Sequence, residues 1–346
     1  MTISIRAGAC AALGFVASLA YVAPGSAQEA ACEVDRPIIF AGLDWDSNSV
    51  HTEIARFIFE KGYGCSTDII PGTTVPLLNG QIRGDIDVTM EMWRDNVIEI
   101  YDPALEAGKV VDLGVNYPDA IQGWYVPNYV IEGEDAPAAG LSSVEDLVRF
   151  KEVFTDPEEP DMGRFYNGVA GWGAEGVSTK KLYAYGLADD YVNFRAGSGS
   201  ALVGAIESSL LRKRPILFYY WGPTWLLGKV GDQVTMLEEP TFDKEIWDAL
   251  QAETDPEAVT AATAFPVIEV TISAHPDFVA KAPELTKFLR EYETTGDQVS
   301  QLLAWMQDND GSPEEAALHF LRENTDQWQA WVPQAVAERV EAALAQ

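Results

Sequence analysis

Apolar runs that end in turn-forming residues alternate along this chain with stretches whose apolar positions recur every three or four residues. That alternation predicts strands separated by helices. Pro37–Leu43 is the first such run, and the polar cluster Asp44-Trp45-Asp46-Ser47-Asn48 after it suits a helix N-terminus. A helix is expected over His51–Lys61, with Ile54, Phe57 and Ile58 on one face and Gly62 as its C-cap. A second strand is expected at Thr67–Ile70, a helix at Val75–Arg83, and a third strand at Asp85–Met90 that runs into Glu91-Met92-Trp93. Strands spaced by helices imply right-handed βαβ units, hence a parallel sheet and an α/β fold.

The pattern changes at Gln122–Val130, which is extended, aromatic and interrupted by Pro127. This is a crossing into a second lobe, where Asp156–Pro160 is a surface loop. Phe165–Val169 is a strand, and Ala170–Gly176 a glycine-rich turn into a helix at Ser178–Tyr185. Another helix, Ala201–Arg212, precedes the most aromatic run of the chain, Pro215–Trp225. Within it Ile216–Tyr220 reads as a buried strand that carries Trp221 and Trp225 to its carboxyl end, where open α/β sheets place ligands. Pro266–Ile272 is the return crossing, and helices at 282–294, 298–308, 313–323 and 332–344 complete the first lobe. The expected division is 28–122 plus 268–346 for the first lobe and 123–267 for the second, with crossings near 123–130 and 264–272. Two lobes joined by two crossings make a hinged clamp with the ligand cleft between them.

Composition changes this picture in three ways. Residues 1–27 are set aside as a secretory signal peptide, with Arg6 as the positive start, Ala11–Ala20 as the apolar stretch, and small residues leading to cleavage near Ala27. No later stretch is long and apolar enough to span a membrane. The formal net charge of -31 argues against nucleic acid or an anionic membrane as partner; it favours cations weakly and equally suits solubility in a salty habitat. Cys32 and Cys65 each precede a strand; if those strands are parallel neighbours, both thiols lie at one sheet edge and a disulfide is favoured in an oxidising compartment, two free thiols being the alternative.

Signatures of catalysis are sparse. His51, His275 and His319 are far apart and are read as surface or capping residues, and no metal-ligand spacing or cofactor-binding motif occurs. Gly197–Ser200 precedes a helix and is a weak anion site at most. By contrast Trp45, Trp93, Trp172 and Trp221 all sit at strand ends or in a glycine-rich turn, positions that suit a lining better than a core. Convergent tryptophans hold a quaternary ammonium well, because their electron-rich faces attract a cation that donates no ordinary hydrogen bond.

Gly42–Ser47, Asn79–Val88 through Trp93, Gly171-Trp172-Gly173 and Phe218–Trp225 resemble, in order, segments of the substrate-binding proteins of ABC importers for glycine betaine, choline and related compatible solutes. The resemblance implies a periplasmic, type II-like two-lobed binding protein, each lobe a mainly parallel sheet flanked by helices. It also implies a monomer without cofactor or catalytic activity that delivers its solute to an ABC permease in the inner membrane. It places Trp45 and Trp93 on the first-lobe wall and Trp172 and Trp221 on the second, with Trp124 completing the cage from the crossing segment. Asp44, Asp46 and Glu91 are candidate counter-charges for the ammonium, Asp46 alternatively a helix cap, and Trp225 is read as packing. Glycine betaine binders of this kind commonly carry a histidine where Thr224 stands here, so backbone amides at Ser47-Asn48 or around Gly173 are the candidates for holding a carboxylate. Choline, trimethylamine N-oxide, dimethylsulfoniopropionate and carnitine therefore stay open beside glycine betaine. A polyamine or sugar binder, or a secreted amine-ester hydrolase, are the readings further away.

Overall fold

A computed structural model of the chain describes residues 1–2 and 32–346. The signal peptide expected over 1–27 therefore lies outside the described residues apart from Met1 and Thr2. Among the described residues nine strands form one continuous sheet: β1 (Ile38–Leu43), β2 (Thr67–Gly72), β3 (Val88–Met92), β4 (Val111–Pro127), β5 (Gly163–Asn167), β6 (Tyr191–Arg195), β7 (Leu217–Gly222), β8 (Val234–Met236) and β9 (Ile268–Ala274). Their order is β2-β1-β3-β9-β4-β7-β5-β6, with β8 also paired to β4. β1, β2 and β3 are parallel, as are β5, β6 and β7, so each lobe has a three-stranded parallel core built from βαβ units. The strands between the two cores, β9 and β4, are antiparallel to their neighbours, so the sheet is mixed rather than parallel throughout.

β4 links the lobes because it is long. It pairs with β9 as far as Ala120, and from Ile121 it pairs with β7, so the hydrogen-bonding partner changes between adjacent residues. The first half of this strand is hidden in the sequence by Gly114, Pro118 and Asp119, which favour turns. The strand accommodates them through shifts in register and positive φ at Gly114 (116°) and Asp119 (63°). On the return path Ala264 still donates its N–H to the Pro240 carbonyl, whereas Ile268 already pairs with Ala120.

Helices cover both faces. The first runs from Asp46 to Phe57 and continues as one π-turn, Ile58–Gly62. It starts earlier than the apolar periodicity suggests, because Asn48 turns inward and accepts the Leu43 N–H at 2.9 Å. The helix expected at 282–294 is two, Pro276–Lys281 and Pro283–Glu291. Ala282, at φ -128° and ψ 66°, breaks them apart, since a residue before proline is pushed out of the helical region. Helices Gly296–Asp308, Pro313–Glu323 and Gln334–Leu344 then return to the first lobe. Cys32 and Cys65 are joined by a disulfide, at the end of the sheet where β1 and β2 begin. None of the described helices is long and apolar enough to cross a membrane.

Candidate functional site

At the carboxyl ends of the parallel strands, between the two lobes, lies a small cavity of about 30 Å³ lined by Trp45, Trp93, Trp172 and Trp221, together with Thr74, Asn96, Gly173, Ala174 and Tyr219. Trp45 follows β1 and is the N-cap of the first helix, while Trp93 directly follows β3. Trp172 is the N-cap of helix Gly173–Ala184, and Trp221 ends β7 with Gly222. Four tryptophans distant in sequence thus meet in one space. Trp172 is the hub: its ring meets Trp45 at 5.8 Å and Trp221 at 5.0 Å, both edge to face. Perpendicular rings of this kind set the faces of some against the edges of others and leave concave space between.

None of the lining side chains is charged. The nearby acids instead take up the indole N–H groups, whose edges are the electropositive part of the ring. Glu91 accepts from Trp45 Nε1 at 2.6 Å and Trp93 Nε1 at 3.4 Å. Asp44 accepts from Trp172 Nε1 at 2.6 Å, and Asp46 from Trp225 Nε1 at 3.0 Å, both across the cleft. Glu91 and Asp44 therefore hold the N–H edges of Trp45, Trp93 and Trp172, three of the four cavity indoles, while Asp46 holds Trp225 beside them. Asp44 and Asp46 line a second, polar pocket that shares Trp45 and Trp221 with the first. Burial pushes the Asp46 carboxyl up, offset in part by its bond from Trp225. The Gly197–Ser200 turn faces the same two acids across that pocket, which removes it as an anion site.

Three expectations need correction. Trp124 does not line the cavity: it is fully buried one layer deeper, 4.3 Å from the Phe165 ring, with its N–H on Ser178 Oγ at 3.2 Å. It sits under helix Gly173–Ala184, so packing claims the ring. Asp44, Asp46 and Glu91 do not line the aromatic cavity: one oxygen of each is taken by an indole N–H, and Asp44 and Asp46 line the adjoining pocket instead. His51 is neither surface nor cap; it is 2% exposed beneath Glu91, and its place three residues before Ile54 and seven before Ile58 already put it on the inward face. His275 does cap a helix, accepting from the Asp277 N–H at 3.3 Å, and His319 stacks on Trp305. Trp225 stays outside the aromatic cavity, as do Trp247, Trp305, Trp328 and Trp331.

Residues not anticipated are Thr74, Asn96, Ala174 and Tyr219. Tyr219 precedes Trp221 by two and so shares its face of the strand, a signal present in the sequence. Asn96 exchanges two amide hydrogen bonds with Gln122, at 3.0 and 3.1 Å, and Gln122 also accepts from Tyr219 Oη at 2.7 Å. Thr74 and Gly173 open two helices whose N-cap residues, Thr73 and Trp172, make no side-chain cap bond. Two helix N-termini therefore border the cavity with their positive dipole ends, although at the first of them Val75 already donates to the Gly171 carbonyl and Pro76 has no N–H, so Thr74 supplies its one free amide.

The lobes touch closely here. The Val75 N–H donates to the Gly171 carbonyl at 3.0 Å, and Gln251 Nε2 to the Asp95 carbonyl at 2.9 Å. A Cβ on Gly173 would stand 2.6 Å from the Asn96 carbonyl oxygen, backbone that cannot move aside cheaply. Gly173→Ala is therefore expected to hold the lobes apart and weaken ligand binding by about ten-fold or more, from an overpacking cost of about 1–3 kcal/mol. Calorimetric titration checks it, with unchanged scattering of the unliganded protein as the control for folding. Unchanged affinity would show that this approach is not needed.

Residues 36–323 match the family model described as the substrate-binding domain of an ABC-type glycine betaine transport system, OpuAC. Among curated proteins, the chain is 23% identical over 198 residues to a trimethylamine N-oxide-binding protein of Pelagibacter ubique, covering 57% of this chain and 62% of that one. It is 26% identical over 209 residues to the glycine betaine-binding periplasmic protein OusX of Dickeya dadantii, covering 59% of this chain and 60% of that one. The matched region thus spans roughly three-fifths of these relatives' length. Among solved structures, the glycine betaine/L-proline-binding protein ProX of Borrelia burgdorferi superposes with a TM-score of 0.69 at 21% identity, covering 88% of this chain and all of that one. At that identity the likeness speaks for the fold.

Proposed function

The chain belongs to the OpuAC family, the substrate-binding domains of ABC-type glycine betaine transport systems, and we propose that it captures a small methylated zwitterion of the glycine betaine kind. The observation that carries this reading is the pairing, in one cavity without charged side chains, of four indoles with two helix N-termini. The ring faces surround the methylated cation, each contact contributing about 0.5–2 kcal/mol. The Thr74 N–H and the amides that open the helix at Gly173 receive the anionic end, as helix N-termini do for carboxylates and phosphates. They do so without the histidine that Thr224 replaces; Thr224 itself caps the helix Trp225–Val230 through its hydroxyl.

On this reading 28–122 plus 268–346 and 123–267 are the two halves of the clamp, closing about the crossings near the point where β4 changes partner from β9 to β7. The protein makes and breaks no covalent bond, works in the periplasm as a monomer, and passes its ligand to an ABC permease. Calorimetric titration with glycine betaine, choline, carnitine, trimethylamine N-oxide and dimethylsulfoniopropionate tests it. Glycine betaine is expected to bind more tightly than choline, whose hydroxyl leaves the helix N-termini without an anion. Absence of binding to all five would remove the proposal. Trimethylamine N-oxide is the second reading, favoured by the relative named for it, and tightest binding of that solute in the same titration would select it.

A further inference from the structure

Behind the aromatic cavity, and not lining it, lies a group of buried polar side chains: Glu91, Ser47, His51, Tyr117 and Tyr292. We infer that Glu91 is a positioning residue, which never touches the ligand but holds Trp45 and Trp93 by their N–H edges and so fixes the faces these rings present. The inference deepens the proposed function and rests on it for its consequence in binding.

The geometry is uneven in an informative way. One carboxylate oxygen of Glu91, Oε2, takes three donors: Trp45 Nε1 at 2.6 Å, Ser47 Oγ at 3.2 Å and Trp93 Nε1 at 3.4 Å. The other, Oε1, has no hydrogen-bond partner although it is fully buried, and its polar neighbour is His51 Nε2 at 3.7 Å. A buried carboxylate oxygen without a donor costs free energy that folding alone would not retain. The arrangement makes sense if the acid is kept for what it does to the rings. A strong acceptor at the N–H edge pins each indole in one orientation, and a negative charge behind the rings adds to the attraction their faces exert on a cation.

Among the described residues no cation neutralises this acid. His51 comes from the first helix, and its Nδ1 lies 2.7 Å from Tyr292 Oη, which follows helix Pro283–Glu291. With the tyrosine O–H donating to Nδ1, the remaining proton of a neutral imidazole sits on Nε2, facing Oε1. Burial pushes the His51 pKa down to about 3, so the ring stays neutral. Tyr117 from β4 and Tyr292 are both pushed well above the ordinary phenol value by burial. Ser47 from the first helix and Trp93 beyond β3 complete the surroundings, and neither titrates. Among the described residues facing it, Glu91 is thus the one that changes charge near neutrality; burial, opposed by its hydrogen bonds from Trp45, Ser47 and Trp93, raises its pKa to about 7. Above that pH the ionised form grips the indoles; below it the grip and the charge weaken together.

The test uses the whole chain labelled with nitrogen-15, without and with glycine betaine. In the unliganded wild type, the indole N–H resonances of Trp45 and Trp93 are expected to move together between pH 5.5 and 8.5 with one midpoint near 7, and in Glu91→Gln to stand still. Calorimetry should find wild-type affinity rising by about ten-fold over that range, while Glu91→Gln, which keeps an acceptor but no titration, stays within about three-fold of flat. Resonances of Trp45 and Trp93 that do not titrate in the wild type, or a wild-type pH profile in Glu91→Gln, would overturn the inference. A wild type that binds none of the solutes would overturn the proposed function instead, and the ligand-free resonances would still decide the role of Glu91.

Discussion

Trp172→Ala is expected to weaken solute binding by on the order of 100-fold while leaving the fold intact. Trp172 meets both Trp45 and Trp221 edge to face and donates its N–H across the cleft to Asp44 at 2.6 Å. Its removal deletes one cation–π wall, worth about 2 kcal/mol in a dry site. It also frees its two neighbours to rotate and breaks one bond that holds the lobes together, which adds about 1 kcal/mol. The sum, about 3 kcal/mol, corresponds to roughly two decades in Kd. Calorimetric titration measures the loss, and an unchanged circular dichroism spectrum shows that it arises in the site. A loss under three-fold would mean the ring is packing that happens to face a void.

Replacing Cys32 and Cys65 by Ser is expected to cost about 4 kcal/mol of stability with little change in affinity. The disulfide closes a loop of sequence separation 33, and the chain-entropy relation gives about 4 kcal/mol for a loop of that size. It fastens the stretch that leads into β1 at the end of the sheet opposite the aromatic cavity. Other ties hold the same stretch: Glu33 accepts the Glu284 N–H, at 3.2 Å by one oxygen and 3.0 Å by the other, and the Leu285 N–H at 3.0 Å. Arg36 makes a two-pronged pair with Asp87, at 2.7 Å on both oxygens. These ties limit fraying, so the loss should appear as a lower urea midpoint rather than as disorder. Equal midpoints for both proteins, with and without reductant, would show that they already do the disulfide's work. The bridge lies far from the indoles, and a ten-fold loss of affinity would contradict that separation.

The acids show where reading the chain alone goes astray. Asp44, Asp46 and Glu91 beside tryptophans suggest counter-charges for an ammonium, since charge attracts charge and the sequence carries no distances. In the folded protein each acid lies against an indole N–H, and one of its oxygens is taken up by that bond before any ligand arrives. Trp124 misleads for a related reason. Its place on an extended aromatic segment matches that of a wall residue, but depth within the sheet decides between wall and core, and depth is set by the helix that covers the strand. Glycines such as Gly173 are legible as turn residues, but not as points where the opposite lobe comes within van der Waals range.

What the sequence determined by itself is local. Apolar runs closed by Gly, Pro or polar clusters set where strands end, and those ends carry Trp45, Trp93, Trp172 and Trp221. Alternation and helical periodicity follow from backbone geometry within a few residues, so they can be read without the fold. The tertiary structure decided which donor meets which acceptor. Trp45 and Glu91 are 46 residues apart, Trp172 and Asp44 are 128 apart, and Trp225 and Asp46 are 179 apart. Pairings over such spans depend on how β4 and β9 carry the chain between lobes and how tightly those lobes close, quantities that no short stretch of residues contains.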